Sequence, residues 1–220
     1  RRPADPADGM VAGVTVHRID VQRHQGAGLG TYLGEYIAFF VRVALRLART
    51  QPRRHYALVQ VATLPDWLVF AALPLRMAGV PVVLDLHEAM PDFFRSRFPG
   101  AANPVVHRLL LLAERLSIAA ATSAITVNDA LRDRLIGLGV EPGHIGVVRN
   151  TPSLARFDPA SHERRDFMED GILRLVYAGA LTPTYELDVA LRAVAKLREE
   201  RPALHVAFDV YGRGDSRPDL

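Results

Sequence analysis

The sequence predicts an α/β protein built from parallel β-sheets, and three observations support this prediction. Short apolar segments alternate along the chain with helical segments of ten or more residues, which is the pattern of βαβ units with helices over both faces of a sheet. The segment from Thr151 to Gly171, with two prolines and a cluster of charges, interrupts the alternation, which then resumes. Hydrophobic residues make up 49% of the 220 residues and charged residues 23%, which is enough apolar content for a sizeable core.

The first 150 residues contain five predicted strands. Val14 and Val16 alternate with Thr15 and His17, which is the period of a half-buried strand, and the polar residues 1–9 before them are expected to form a loop. The later strands are continuous apolar runs, as in a sheet that is covered on both faces. The predicted strands cover residues 14–17, 56–61, 81–86, 123–127 and 145–148.

Four helices are predicted between these strands. Pro52 lies just beyond the expected end of the first helix, and the second is expected to stop near Gly79. Asn103 and Asn128 are expected to cap the third and fourth, because asparagine accepts hydrogen bonds from the free N–H groups of a first turn. A loop of about 15 residues is expected after Glu88, which is long for a compact domain. The predicted helices cover residues 31–50, 65–79, 104–120 and 129–139.

The alternation resumes after Gly171 with one more βαβ unit. Its strand, helix and strand are predicted at residues 172–177, 186–200 and 205–211. One such unit is too small to enclose a core of its own. We therefore expect a first domain at residues 1–150, an interdomain linker at 151–171, and the beginning of a second domain at 172–220.

Composition excludes several classes of protein. The chain has no cysteine, which excludes disulfide scaffolds, cysteine-based zinc sites and thiol catalysis. The net charge of +3 is too small to indicate nucleic-acid binding, although Lys196 is the only lysine and all other basic residues are arginine, which suits phosphate or carboxylate. The histidines show no spacing typical of metal ligands. No apolar run reaches the roughly 18–20 residues of a membrane span, and no signal peptide is expected.

The strongest candidate site follows the strand that ends at Leu86. Ligands of open parallel sheets bind outside the carboxyl ends of the strands, and Asp85, His87 and Glu88 lie at that position, just before the long loop. A histidine there can orient an acceptor hydroxyl or take its proton, and the neighbouring carboxylates can tune it. The alternative is that these residues only cap the following turn.

A glycine turn in the second half is a weaker candidate. Gly179, Ala180 and Leu181 follow the first strand of that half, and Gly212 follows the last one. Glycine at a strand-to-helix turn lets backbone N–H groups approach a phosphate, with the helix dipole adding attraction. Any tight turn also favours glycine, so the turn alone does not establish a phosphate site.

A second glycine cluster precedes the first helix. Gly26, Gly28 and Gly30 give the spacing GxGxG, whereas dinucleotide-binding turns have GxGxxG, so a flexible turn is favoured. The loop is retained as one that faces a cleft and helps to hold an acceptor.

Four arginines predict a basic face on the first helix. Arg42, Arg46, Arg49 and Arg53 follow one another at helical spacing. A solvated face of a helix packed on a sheet is the commoner explanation, and contact with anionic lipid stays open.

Several segments of the chain resemble glycosyltransferase family 4 in their order and spacing. They are DLHEAMPDFF, the segment from Glu114 through SAITVNDALRDRLIGLGVEPGHIGVVRNTPS, and LRLVYAGALTPTYELDVALRAVAKL followed by VAFDVYGRGD. The resemblance spans about residues 12–215 and is greatest to bacterial members that build surface polysaccharides.

This resemblance implies the GT-B fold, in which two Rossmann-like domains face each other across a deep cleft. The N-terminal domain, whose first strand would precede Arg1, holds the acceptor, and the C-terminal domain holds a nucleotide-sugar. Transfer in the family usually retains the anomeric configuration and needs no metal or other cofactor. His87 matches the histidine of the family's cleft-facing motif, and Gly179 matches the glycine beside the donor diphosphate.

The expected function is therefore transfer of a sugar from a nucleotide-sugar donor to an acceptor hydroxyl on a sugar or lipid-linked sugar. A cytoplasmic enzyme of surface polysaccharide or glycolipid synthesis is expected, with peripheral membrane contact left open and no nucleic-acid partner. The paired-glutamate motif of the family would lie beyond Leu220, so this chain is expected to be inactive alone. Glu186 stands where similar sequences often have glycine. A GT-B-like sugar-nucleotide epimerase and a non-catalytic binding module are the alternatives.

Overall fold

The computed structural model describes residues 8–21, 24, 28–101, 103–163 and 166–214. The chain divides into two compact units, Arg1–Thr151 and Pro152–Leu220. The predicted α/β class is confirmed, because the first unit contains a four-stranded parallel sheet and the second a parallel pair of strands. The assignment of acceptor and donor roles to these parts, with residues 151–171 as a linker, stays a prediction.

The first unit contains six strands and five helices within its described residues. The strands are β1 (Asp8–Val11), β2 (Val14–His17), β3 (Val59–Ala62), β4 (Val82–Leu86), β5 (Ser123–Thr126) and β6 (Ile145–Val147). The helices are α1 (Leu29–Arg54), α2 (Leu73–Met77), α3 (Met90–Arg97), α4 (Pro104–Ala120) and α5 (Asp129–Gly137). Short 3₁₀ helices cover Asp66–Ala72, Pro99–Ala101 and Pro142–His144.

The main sheet has the strand order β3-β4-β5-β6, with every neighbouring pair parallel. Val82, Leu84 and Leu86 on β4 are buried, and they form a core with residues such as Ile118 of α4 and Leu135 of α5. Since all four strands run the same way, their carboxyl ends share one edge of the sheet. The residues that follow β3 and β4 are therefore neighbours in space.

Asparagine caps begin two of the helices, as predicted. The Asn103 side chain accepts hydrogen bonds from the backbone N–H groups of Val105 and Val106, both at 3.0 Å. The Asn128 side chain accepts one from the N–H of Leu131 at 2.8 Å. These bonds satisfy donors that the first turn of a helix leaves without a backbone partner.

Three local predictions were wrong. α1 does not end before Pro52 but continues through it to Arg54, because a proline in the last turn removes one backbone donor without blocking the turns before it. The expected long loop after Glu88 contains α3, whose residues Met90 and Phe94 are buried one helical turn apart. Asp8 and Gly9, at the end of the expected loop, instead belong to β1, which pairs with β2 in an antiparallel hairpin.

The second unit contains one βαβ motif in its described residues. β7 (Ile172–Ala180) and β8 (His205–Arg213) pair in parallel, and α6 (Leu187–Glu200) connects them. 3₁₀ turns cover Pro159–Ser161 and Pro183–Tyr185. No helix in the described parts of either unit is long and apolar enough to cross a bilayer.

Candidate functional site

His87 lies at the carboxyl edge of the main sheet, one residue beyond β4. Its Nε2 atom lies 3.2 Å from Oδ1 of Asp85, and the imidazole is 41% exposed while the carboxylate is only 15% exposed. A proton on Nε2 points at the carboxylate, which leaves Nδ1 as an acceptor for a hydroxyl from solvent or substrate. The geometry suits orienting a hydroxyl group or accepting its proton.

Gln60 and Thr63 support this pair. The Gln60 side chain donates to Oδ2 of Asp85 at 2.8 Å, so both carboxylate oxygens are engaged. The backbone N–H of His87 donates to Oγ1 of Thr63 at 3.1 Å, and the N–H of Thr63 donates to the carbonyl of Asp85 at 3.0 Å. The sequence analysis did not identify Gln60 or Thr63; the available signal was a polar residue between Val59 and Val61 on the neighbouring strand.

Thr126 fixes the end of β4 from the other side. Its side chain is fully buried at the last position of β5, and its hydroxyl donates to the carbonyl of Leu86 at 2.9 Å. The residue before His87 is thereby hydrogen-bonded to β5. Hydrogen bonds from both sides, from Thr63 after β3 and from Thr126 on β5, thus fix the backbone around His87.

No bond is recorded between this pair and the other predicted residues of the first unit that the structure describes. Glu88 is exposed, and the structure records no bond from it to His87. Gly28 precedes α1 and its backbone is extended, at φ −67° and ψ 169°. Gly26 lies outside the described residues. The role of this loop in holding an acceptor stays a prediction.

A cavity of about 550 Å³ lies at the end of β3, the strand that neighbours β4, and is enclosed by the N-terminal half of α1 and the segment after β2. Ala62, at its wall, is the register partner of Asp85, and Leu64 follows Thr63 directly. The wall combines apolar side chains, including Tyr36 and Phe39, with charged ones. Its volume lies within the range of small-molecule sites.

A second cluster of ionisable groups joins the 3₁₀ helix Asp66–Ala72 to α4 and α5. Asp66 is 1% exposed and neither of its carboxylate oxygens has a hydrogen-bond partner among the described residues. Its pKa is raised from 3.8 to about 7, mainly by burial and also by the nearby charge of Glu114, while Arg134 lowers it. Glu114 is also 1% exposed, and both of its oxygens accept from Nη1 of Arg134, at 2.9 and 3.0 Å. The sequence analysis did not identify this cluster.

The predicted donor residues meet at one end of the second unit, but Gly179, Ala180 and Gly212 lie within β7 and β8, so the prediction that they follow these strands was wrong. Gly179 and Gly212 are register partners in the β7–β8 pair, and the N–H of Leu181 donates to the carbonyl of Arg213 at 3.0 Å. A Cβ atom at Gly212 would overlap the carbonyl oxygen of Gly179. Close strand pairing therefore accounts for glycine at 212, and approach to a phosphate stays a prediction for both glycines and for Ala180.

Glu186 adopts the backbone conformation that glycine favours. Its φ of 48° and ψ of 39° are left-handed, and it stands exposed at the N-terminus of α6 without a side-chain cap. This conformation is a physical reason for glycine at this position. A carboxylate here would repel an anionic ligand that approached the α6 N-terminus.

The sequence resembles known glycosyltransferases. Residues 1–151 match the family described as "Glycosyl transferase 4-like domain". One relative, the D-inositol 3-phosphate glycosyltransferase of a Nocardioides species, is 27% identical over 199 residues, which cover 87% of this chain. The aligned residues cover 42% of that relative, so the chain spans less than half of its length.

One solved structure, a UDP-N-acetylglucosamine 2-epimerase from Rickettsia bellii, aligns with 90% of this chain and 48% of that protein. Its TM-score is 0.42 and the identity is 13%, so this likeness supports no statement about function. The family match does establish the family, because it covers the whole unit that contains the parallel sheet, the Asp85–His87 pair and the cavity at the end of β3. On that match, the chain belongs to the glycosyltransferase 4-like family.

Proposed function

We propose that this chain is part of a glycosyltransferase that moves a sugar from a nucleotide-sugar donor to an acceptor hydroxyl. The observation that carries the proposal is the family match over residues 1–151, the unit in which Asp85 holds His87 at the ligand edge of the sheet. His87 orients the acceptor hydroxyl or takes its proton, and the adjacent cavity receives the rest of the acceptor. Gly179, Ala180, Leu181 and Gly212 serve the donor diphosphate.

The chemistry that we propose uses no metal or other cofactor and retains the anomeric configuration. The acceptor oxygen bonds to the anomeric carbon on the same face that the diphosphate leaves, the bond from that carbon to the diphosphate oxygen breaks, and the hydroxyl proton passes to the departing diphosphate or to His87. Backbone N–H groups and a helix N-terminus stabilise the negative charge of the leaving diphosphate. The acceptor is a sugar or a lipid-linked sugar of bacterial surface polysaccharide or glycolipid synthesis.

Screening the full-length protein against several nucleotide-sugars tests this proposal. Release of nucleoside diphosphate would be followed with sugar acceptors and with an inositol phosphate, since the relative from Nocardioides is named for that acceptor. We expect one donor to be turned over faster with an acceptor than without one. The absence of acceptor-dependent release with every donor would contradict transferase activity.

Replacing His87 tests the site itself. We expect His87→Ala in the full-length protein to lower turnover at least about tenfold, because the acceptor hydroxyl loses the group that orients it. His162→Ala is the matched control, since His162 is also exposed but lies in the other unit, far along the chain from the sheet edge. Circular dichroism would check that both variants fold. Unchanged turnover for His87→Ala would remove this residue from the mechanism.

A non-catalytic binding module is the second candidate, and Glu186 is the observation that favours it. Its exposed carboxylate stands at the helix N-terminus expected beside the donor diphosphate. Binding of a nucleotide-sugar to the full-length protein without any release of nucleoside diphosphate would support this candidate against the transferase.

A further inference from the structure

Residues 64–68, which we call the 64–68 segment, combine cavity wall and buried core. Leu64 and Leu68 line the cavity at the end of β3. Between them, Asp66 is 1% exposed, and neither of its carboxylate oxygens has a hydrogen-bond partner among the described residues. The N–H of Leu68 donates to the carbonyl of Pro65 at 3.1 Å, at the start of the 3₁₀ helix Asp66–Ala72. A movement of Asp66 therefore also moves the backbone of the cavity wall.

The surroundings of Asp66 suit its neutral form. Both oxygens of Glu114 accept from Nη1 of Arg134, at 2.9 and 3.0 Å, so the cation that acts on Asp66 is already engaged. A carboxylate ion at position 66 would be buried without a donor and would be repelled by Glu114, and both effects are costly. The pKa of Asp66 is accordingly raised to about 7, mainly by burial. The carboxyl is therefore largely neutral at pH 6 and largely ionised at pH 8.

The other elements that pack against the 3₁₀ helix bring apolar groups or charges with partners elsewhere. These elements are α1, α2, β3 and β4. α1 contributes Phe40, whose ring lies 5.5 Å from that of Trp67. Arg76 of α2 donates to two backbone carbonyls at the end of α4, and Asp85 of β4 is engaged with His87. The sequence of β3 contains no ionisable residue.

We propose that Asp66 is a proton-controlled switch that holds the cavity wall in place when it is neutral and releases the wall when it is ionised. In the neutral form the side chain stays in the core, and Leu64 and Leu68 stay in the wall. When the proton passes to solvent, the carboxylate turns toward water. The short 3₁₀ helix is disrupted first, because its hydrogen bonds have poorer geometry than those of an α-helix.

The switch acts on the space for a bound molecule and leaves His87 in place. Thr63 precedes the 64–68 segment, and its bonds to the carbonyl of Asp85 and the N–H of His87 do not involve the moving residues. Each pH unit around 7 changes the ratio of the neutral and ionised forms about tenfold. A molecule that needs the intact wall therefore binds better below pH 7 than above it. Only the identity of that molecule as the sugar acceptor rests on the proposed function.

Trp67 is the only tryptophan of the chain and reports on the 64–68 segment directly. We expect its fluorescence in the folded chain to change between pH 6 and 8, and Asp66→Asn to abolish the change, since asparagine has a similar shape and does not titrate. Glu114→Gln should move the transition to lower pH by at least about half a unit, because it removes a repelling charge. Histidine also titrates near neutral pH, so the controls are His17→Gln in the cavity wall and His87→Gln, which should keep the transition.

Hydrogen exchange resolved by residue with NMR locates the movement. After correction for intrinsic rates, we expect the Leu68 amide of the parent to exchange at least about tenfold faster at pH 8 than at pH 6. In Asp66→Asn the same amide should change less than about twofold. The His87 amide, bonded to Oγ1 of Thr63, is the internal control and should change less than about twofold in both proteins.

Three results would overturn the proposal: a Trp67 transition that persists in Asp66→Asn, protection of Leu68 that does not depend on pH, or equal losses of protection at Leu68 and His87. The last would mean that ionisation loosens the whole unit and not the wall. Circular dichroism would check folding. Should Asp66→Asn not fold, Glu114→Gln decides, because an unshifted transition would exclude Asp66 as the titrating group. These readouts do not depend on sugar transfer, so failure here would leave the proposed function standing.

Discussion

Asp66 is the residue whose charge state matters most for the first unit. It is buried without a hydrogen-bond partner among the described residues, and its pKa is raised to about 7. The folded state therefore keeps the proton between about pH 4 and 7, where the unfolded chain has already released it. The protonated carboxyl contributes stability that is fully present below about pH 4 and is lost as the pH rises through 7.

We expect the Asp66→Asn variant to remove this pH dependence. The free energy of unfolding of the parent should fall relative to that of the variant between pH 5 and 7, by at most about 1.4 kcal/mol per pH unit, and level off above 7. Urea denaturation followed by fluorescence of Trp67, the neighbouring residue, measures the difference. Asp133→Asn is the control, because that side chain is 72% exposed. Parallel pH profiles for the parent and Asp66→Asn would contradict the expectation.

At Glu186 the backbone adopts a left-handed conformation that is unfavourable for a residue with a side chain. Its left-handed conformation costs a side chain roughly 1 kcal/mol, part of which glycine avoids. We expect Glu186→Gly to slow amide exchange in α6 by up to about fivefold, or about 1 kcal/mol. Ala193→Gly, at an exposed position in the middle of α6, should instead speed exchange by a similar factor, because glycine destabilises a helix interior. Faster exchange for Glu186→Gly would show that no strain is relieved there.

The sequence alone predicted some of the residues of the candidate site and not others. Asp85 and His87 follow from the rule that ligands gather at the carboxyl ends of parallel strands, and the structure brings their side chains together. Gln60 and Thr63 could not be assigned, because their contacts depend on the β3–β4 register, which a single sequence does not reveal. Asp66 was missed for a similar reason, since nothing in the local sequence shows that α4 and α5 bring Glu114 and Arg134 near it.

At the scale of elements, the Glu114–Arg134 pair joins α4 to α5. Arg134→Met keeps most of the side-chain volume but leaves the buried Glu114 without its cation, so we expect a loss of roughly 3 kcal/mol in unfolding free energy. Arg95→Met breaks a pair whose side chains are 66% and 54% exposed, and we expect it to cost less than about 1 kcal/mol. Urea denaturation would compare the two. Equal losses would mean that burial does not set the strength of the α4–α5 pair.

The elements were predicted best where local chemistry decides them. α4 begins at the proline after Asn103 as predicted, because the cap and the proline both act within one turn. Predictions that relied on helix-breaking residues failed at Pro52, since other turns of α1 continue to stabilise the helix. α3 was missed because Pro91 lies in its first turn and Asp92, Arg95 and Arg97 interrupt its apolar residues, and only packing shows that Met90 and Phe94 share a buried side.

At the scale of the whole molecule, the two units differ in how much they bury. In the first unit, ten buried apolar residues from the sheet and its helices form one core. The described part of the second unit buries four apolar residues, which are Leu181, Leu187, Val194 and Val206. We expect amides of β4 and β5 to exchange at least about tenfold more slowly than those of β7 and β8, after correction for intrinsic rates. Hydrogen exchange with mass spectrometry measures this. Equal protection would mean that the units open together.

Thr63 has a consequence for how proteins with this architecture can change. Its N–H and its hydroxyl form two hydrogen bonds across the ends of β3 and β4, and these fix the backbone of His87 before the chain reaches Leu64 and Leu68 at the cavity wall. Substitutions in that wall can therefore reshape the space for a bound molecule while the imidazole keeps its place. Under the proposed function, altering this one short segment would change which acceptor fits while His87 keeps its position.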